Sequence, residues 1–157
     1  MRTPSGRSLF VIFCGWLAVA VWQARADDVA LDKLPKAVVD SLKAKFPGCE
    51  LTKALSETED NKLVYEISLK HKNANYDIII TPEGKITVVE KAIDAKSLPK
   101  AVADALEKKY PKAKINLAEE LSDGGGKVTA YEVHITTADN KEVAVEFEPN
   151  GKIIGEE

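Results

Sequence analysis

The sequence predicts an α+β fold made of two tandem repeats, each one helix packed on a four-stranded antiparallel meander sheet. The first observation behind this is a duplication. The segment Leu34–Pro47 returns as Leu98–Pro111 with nine of fourteen positions identical. Tyr65-Glu66-Ile67 returns as Tyr131-Glu132-Val133, and Pro82-Glu83-Gly84-Lys85-Ile86 as Pro149-Asn150-Gly151-Lys152-Ile153, with the offset growing from 64 to 66 to 67 residues. An internal repeat sets architecture before any propensity does. The second observation is a change of period within each copy, from apolar residues four apart to apolar residues two apart, as in a helix followed by half-buried strands.

Ahead of the repeats, residues 1–26 read as an export signal. Arg2 and Arg7 precede an apolar run, Leu9 to Val21, and Ala24-Arg25-Ala26 offers small residues where a signal peptidase reads. The run is short for a membrane span and no second one follows. Repeat 1 is expected over residues 28–93 and repeat 2 over residues 94–157.

Each repeat opens on a helix. Leu34, Val38, Leu42 and Phe46 share one face with Val39, Leu34 stands at the entrance with Pro35 just inside as the first helical residue, and Pro47-Gly48 stops it. The second copy places Leu98, Val102, Leu106 and Tyr110 alike, ending before Pro111. Helices this short need packing to persist. A first strand follows at 49–56 (114–122 in the second copy), then a polar loop at 57–62 (123–127). In the next strand Leu63, Tyr65, Ile67 and Leu69 alternate with Val64, Glu66, Ser68 and Lys70. Its counterpart groups Thr129, Tyr131, Val133 and Ile135. The third strand groups Tyr76, Ile78 and Ile80, matched by Val143, Val145 and Phe147. A Pro-x-Gly turn leads into a fourth strand at 85–90 or 152–155. Period two over these stretches means one buried and one outward face. A unit of about 65 residues buries too little surface to stand comfortably alone. The four residues Asp94–Ser97 leave no free linker between copies, so a monomer with two packed lobes is expected.

Composition narrows the partners. All three arginines and both tryptophans lie within residues 1–26. Of 22 basic residues, removing three arginines leaves 19 lysines against 25 acids, a net charge of −6 over residues 27–157. Without the guanidinium fork, and with net negative charge, the chain is not expected to bind nucleic acid. Cys49 is the sole cysteine beyond the signal, so no intramolecular disulfide can form there; its expected role is a small apolar residue at a strand start.

The order Leu-Pro, short amphipathic helix, aromatic-Pro, Tyr-Glu-Ile/Val strand and Pro-x-Gly-Lys-Ile turn resembles PepSY-like domains. More closely, it resembles the exported tandem group described as β-lactamase-inhibitor-like. The resemblance covers both repeats. It implies helix-on-sheet units, an envelope location and no enzymatic chemistry. PepSY domains are linked with restraining secreted peptidases. The inhibitor that gives the tandem group its name grips its target with a concave sheet. This chain lacks that inhibitor's disulfides and its aromatic-rich gripping surface. What the resemblance implies here is therefore protein or peptide binding rather than β-lactamase inhibition.

The chemistry-bearing residues are few. His71 and His134 are expected at the surface, since a metal site needs several converging ligands. Gly124-Gly125-Gly126-Lys127 lacks the spacing and hydroxyl of a phosphate loop and reads as a hairpin tip. Glu57, Glu59 and Asp60 lack the ordered alternation of a calcium loop. No metal or cofactor site is expected. The outward sheet face differs between the copies: partly apolar in repeat 1, acidic in repeat 2. The expected partner-binding residues on it are Val64, Glu66, Ile79, Val89, Glu132, His134, Glu142 and Glu146. Val64, Ile79 and Val89 would either meet the other lobe or form an exposed patch. The expectation is a non-catalytic periplasmic or secreted module, not an enzyme, that engages or restrains an envelope protein, peptide or peptidase through this face. The alternative is a carrier of a small ligand or cation.

Overall fold

The structure is a computed structural model that describes residues 27–59 and 61–156. The expected export signal lies outside the described residues, as do Asp60 and Glu157. The described chain runs β1 (Asp27–Asp28), α1 (Lys36–Lys45), β2 (Glu50–Glu59), β3 (Lys62–His71), β4 (Ala74–Ile80) and β5 (Ile86–Ile93). It continues through α2 (Lys100–Lys109), β6 (Lys114–Asp123), β7 (Val128–Thr136), β8 (Glu142–Phe147) and β9 (Ile153–Glu156). Short 3₁₀ turns, Leu31–Lys33 and Ala95–Ser97, precede the two helices.

All nine strands form one antiparallel sheet in sequence order. The two copies are therefore not separate sheets. β5 and β6 pair from Val88↔Asp123 to Ile93↔Ala118, joining the halves edge to edge. This pairing carries the fourth strand on to Ile93, beyond the expected end at Glu90. The β2–β3 hairpin likewise stays paired through the stretch expected as polar loop, from Glu57↔Val64 to Glu59↔Lys62. Once two strands are in register, continuing the ladder satisfies backbone groups more fully than a loop would.

Both helices lie on the same side of the sheet, each over its own apolar cluster. Under α1 sit Val38 and Leu42 with Ile67, Leu69, Ile78 and Ile80; under α2 sit Val102 and Leu106 with Val133, Ile135, Val145 and Phe147. Each such side chain contributes about 1.5–3 kcal/mol on burial. Pro35 and Pro99 sit one position earlier than expected, as N-caps whose carbonyls accept the first helical bonds from Val38 and Val102 at 3.0 and 2.9 Å. The two helix ends differ. Phe46 packs its ring against Tyr76 and His71, with centroids 5.2 and 5.7 Å away. Tyr110 instead donates its hydroxyl to Glu156 of β9 at 3.1 Å.

The repeated Pro-x-Gly turns seat the helices. In each turn the glycine N–H closes back on the residue three before it, Thr81 or Glu148, at 2.8 Å. The glycines take φ of +85° and +87°, the left-handed position that ends a type I turn with a bulge. A Cβ on Gly84 would stand 2.5 Å from the Ala37 carbonyl oxygen, and one on Gly151 2.3 Å from that of Ala101. The helix backbone rests directly on the turn, so only glycine fits. One further tie crosses between the halves: Lys45 of α1 donates to the Gly124 carbonyl at 2.6 Å.

The face opposite the helices is not flat. Leu55, Val64, Leu121, Ala130 and Ala144 alternate with helix-facing residues and belong to neither cluster, yet they are buried, Leu121 completely. Residues from β2 to β7 line one small cavity on this side, so the sheet curls around its open face.

Candidate functional site: the open face of the sheet

Two cavities occupy the open face. The first, about 370 Å³, is lined from Lys53 on β2 through Glu66, Asp77 and Glu90 to Glu119, Glu132 and His134 on β6 and β7. Laid flat, β2 and β7 would stand about 24 Å apart. Sharing one small cavity requires the curl. The second, about 780 Å³, lies toward the hairpin end, between the apolar side chains of Leu63, Val64, Ile79 and Val88 and the charged Lys62, Glu83 and Lys85.

Register explains how the acids gather. Glu119 stands opposite Glu132, and Leu117 opposite His134. Glu132 stands opposite Glu146, and His134 opposite Ala144. In the first half Ser68 stands opposite Asp77 and Glu66 opposite Ile79, while Asp77 pairs on with Glu90. His134 Nε2 lies 2.6 Å from Glu132 Oε1 and 3.8 Å from Glu119 Oε2. The Ser68 hydroxyl donates to Asp77 Oδ1 at 2.5 Å. Burial, reinforced by the charges of Glu119, Glu132, Asp77 and Glu66, pushes the Glu90 carboxyl up to about 9. Burial first, and then Glu132, also raises Glu146. Desolvation alone raises Glu57.

Of the expected partner-binding residues, seven lie on this face. Glu66, Glu132 and His134 line the first cavity, Val64 the second, and Ile79 both. Glu146 and the exposed Glu142 extend the face onto β8. Val89 does not belong with them. A bulge at Ile79/Ile80 shifts β5 by one residue, so that Val89 pairs with Ile78 and is buried beneath α1. Val88 and Glu90 take its place on the open side. One inserted residue inverts the side-chain phase of all that follows.

His71 and His134 part company. His71 sits among Phe46 and Tyr76 at the helix side. His134, expected at the surface, is half-buried between two carboxylates. Cys49 is partly buried against the α1 cluster. Glu90 and Glu119 are the residues that sequence reasoning missed. Glu119 did leave a signal. In Leu117-Ala118-Glu119-Glu120-Leu121 it occupies the middle of an alternating apolar row, where a carboxylate is out of place. Among the described residues, no helix is long and apolar enough to cross a membrane.

The sequence matches the family described as "Putative beta-lactamase-inhibitor-like, PepSY-like" twice, over residues 14–88 and 87–155. The chain belongs to this family. Among curated proteins none matches it. Solved structures share the fold of this PepSY-like protein at low identity. A putative periplasmic protein of Bacteroides eggerthii is 13% identical with a TM-score of 0.63, covering 78% of this chain and 87% of its own. A DUF2874 family protein of Bacteroides uniformis is 15% identical with a TM-score of 0.64, covering 78% and 88%. A BLIP-like protein of Bacteroides fragilis is 18% identical with a TM-score of 0.59, covering 78% and 85%. In the PepSY-like protein the helices cover one face of the sheet and leave the curled, acidic face open.

Proposed function

We propose that this PepSY-like protein is a non-catalytic binding module of the cell envelope that engages a protein or peptide, a peptidase among the candidates, through the open sheet face. The observation that carries this reading is the curl of that face. It forms two adjoining cavities, one acidic and one largely apolar, on the side the helices leave bare. Such a surface suits an extended segment whose lysine or arginine enters the acidic cavity while apolar neighbours fill the second. The charge balance of −6 over residues 27–157 points the same way. A binding role also fits the chemistry of His134, which stands between two carboxylates that would share in holding a cationic group. The export signal read in residues 1–26 and the periplasmic description of a structural relative support the envelope location. The likeness to a BLIP-like protein supports binding by the sheet.

Affinity capture from envelope extract, with wild type beside a Glu142→Lys/Glu146→Lys variant, tests the reading. A specific partner retained by wild type and lost by the variant is the expected result. A variant that keeps every partner removes the open face from consideration.

A further inference from the structure

We propose that Glu119, Glu132 and His134 form a binding site for a divalent metal ion of the zinc class on the floor of the acidic cavity. One ligand atom from each of the three lies within 4.8 Å of the other two. Zinc bound at about 2.0–2.2 Å by nitrogen and oxygen ligands sets them about 3.3 Å apart in tetrahedral geometry. The His134 Nε2 distances of 2.6 and 3.8 Å bracket that value, so the three donors already stand close to the spacing such an ion requires. Three protein ligands leave a fourth position toward the cavity, for water or a donor from a bound partner.

The duplication supplies a separate observation. By the repeat offsets and the matching ladders, Glu119 corresponds to Leu55, Glu132 to Glu66, and His134 to Ser68. Leu55 stands opposite Glu66 as Glu119 stands opposite Glu132, and both ladders carry a bulge at the same place, Leu51/Lys53 and Ile115/Leu117. Leu55 is 6% exposed and Glu119 7%. The fold therefore accepts a leucine at this buried position, and a carboxylate there is a burden that folding alone does not require. Glu119 and His134 are the two changes that convert the single carboxylate of the first half into a three-ligand set. Imidazole nitrogen selects zinc-class ions, whereas calcium takes six to eight oxygen ligands. This assignment stands independently of the partner reading.

Calorimetric titration of the purified, chelator-stripped protein with zinc chloride tests it. One zinc ion per chain is expected, with no heat from calcium chloride under the same conditions. Glu119→Leu and His134→Ser restore the first half's residues and should each weaken zinc binding by about tenfold or more. His134 is half-exposed, so His134→Ser keeps the test sound even if Glu119→Leu repacks. A melting curve confirms folding of both. Absence of zinc binding, calcium binding of equal strength, or zinc binding undiminished in His134→Ser would each overturn the site.

Discussion

The two halves of the sheet present the same positions with different chemistry. In the first half, Leu55, Glu66 and Ser68 meet across β2 and β3; in the second, Glu119, Glu132 and His134 meet across β6 and β7. Their ladders, helix seats and first bulges coincide, and β6 carries one further bulge at Leu121/Ser122. One protein therefore shows both what the scaffold demands at a site and what has been added to it. The demanded features repeat: the helix apolar faces, the Pro-x-Gly turns and the alternation toward the helices. The added features do not repeat, and they converge on the second half of the open face.

The sharpest way to break this parallel is at the helix seats. Gly84→Ala and Gly151→Ala each force a side chain into left-handed backbone and against a helix carbonyl. Each should cost about 3 kcal/mol or more, in matched amounts, by chemical denaturation. A large loss at one turn and none at the other would show that the halves are not built alike. Leu42→Ala and Leu106→Ala come next, each expected to lose about 2–5 kcal/mol.

Exchanging residues between the halves sharpens the contrast. In metal-free buffer Glu119→Leu should raise stability by about 1–3 kcal/mol, while the reciprocal Leu55→Glu should lower it by a similar amount. Equal and opposite shifts in denaturation midpoint are the expected outcome. A destabilised Glu119→Leu would mean that the second half needs its carboxylate to fold.

Glu90, where the halves join, has a pH signature. Its carboxyl is raised from 4.5 to about 9 in the folded state, so between those values the folded protein holds a proton that the unfolded chain releases. Stability from this group is full below about pH 4.5 and falls as pH rises toward 9, by up to about 1.4 kcal/mol per pH unit. Glu90→Gln should remove that slope, melting higher than wild type at pH 8 and matching it near pH 4.5. Identical pH profiles for the two proteins would contradict the burial of Glu90. The smallest effect is expected at the surface pairs Lys36–Asp40 and Lys100–Asp104, where lysine to alanine should change stability by a few tenths of a kcal/mol in either half.

Much of this was legible in the chain. The helix faces, the alternating strands and the paired turns all rest on interactions within a few residues, so pattern alone exposes them. The open-face residues were legible wherever alternation ran unbroken, which is why Glu66, Glu132, His134 and Glu146 fall on the side of the sheet that the alternation assigns them, although the burial of Glu132 and His134 there was not legible. Val89 was not legible, because a bulge inverts its phase and nothing local marks the inserted residue. The gathering of Glu90 and Glu119 was not legible either, since it depends on β5 pairing with β6 across α2.

By itself, then, the sequence determined a duplicated helix-and-meander unit, its buried positions and the unequal charge of the two outward faces. These follow from periodicity and steric rules that act over one helical turn or one hairpin. Only the tertiary structure decided that the two units share one sheet, that the sheet curls, and that Glu90, Glu119, Glu132 and His134 face a common cavity. Those outcomes arise from strand pairing between distant segments and from twist accumulated over nine strands, quantities that no short stretch of sequence contains.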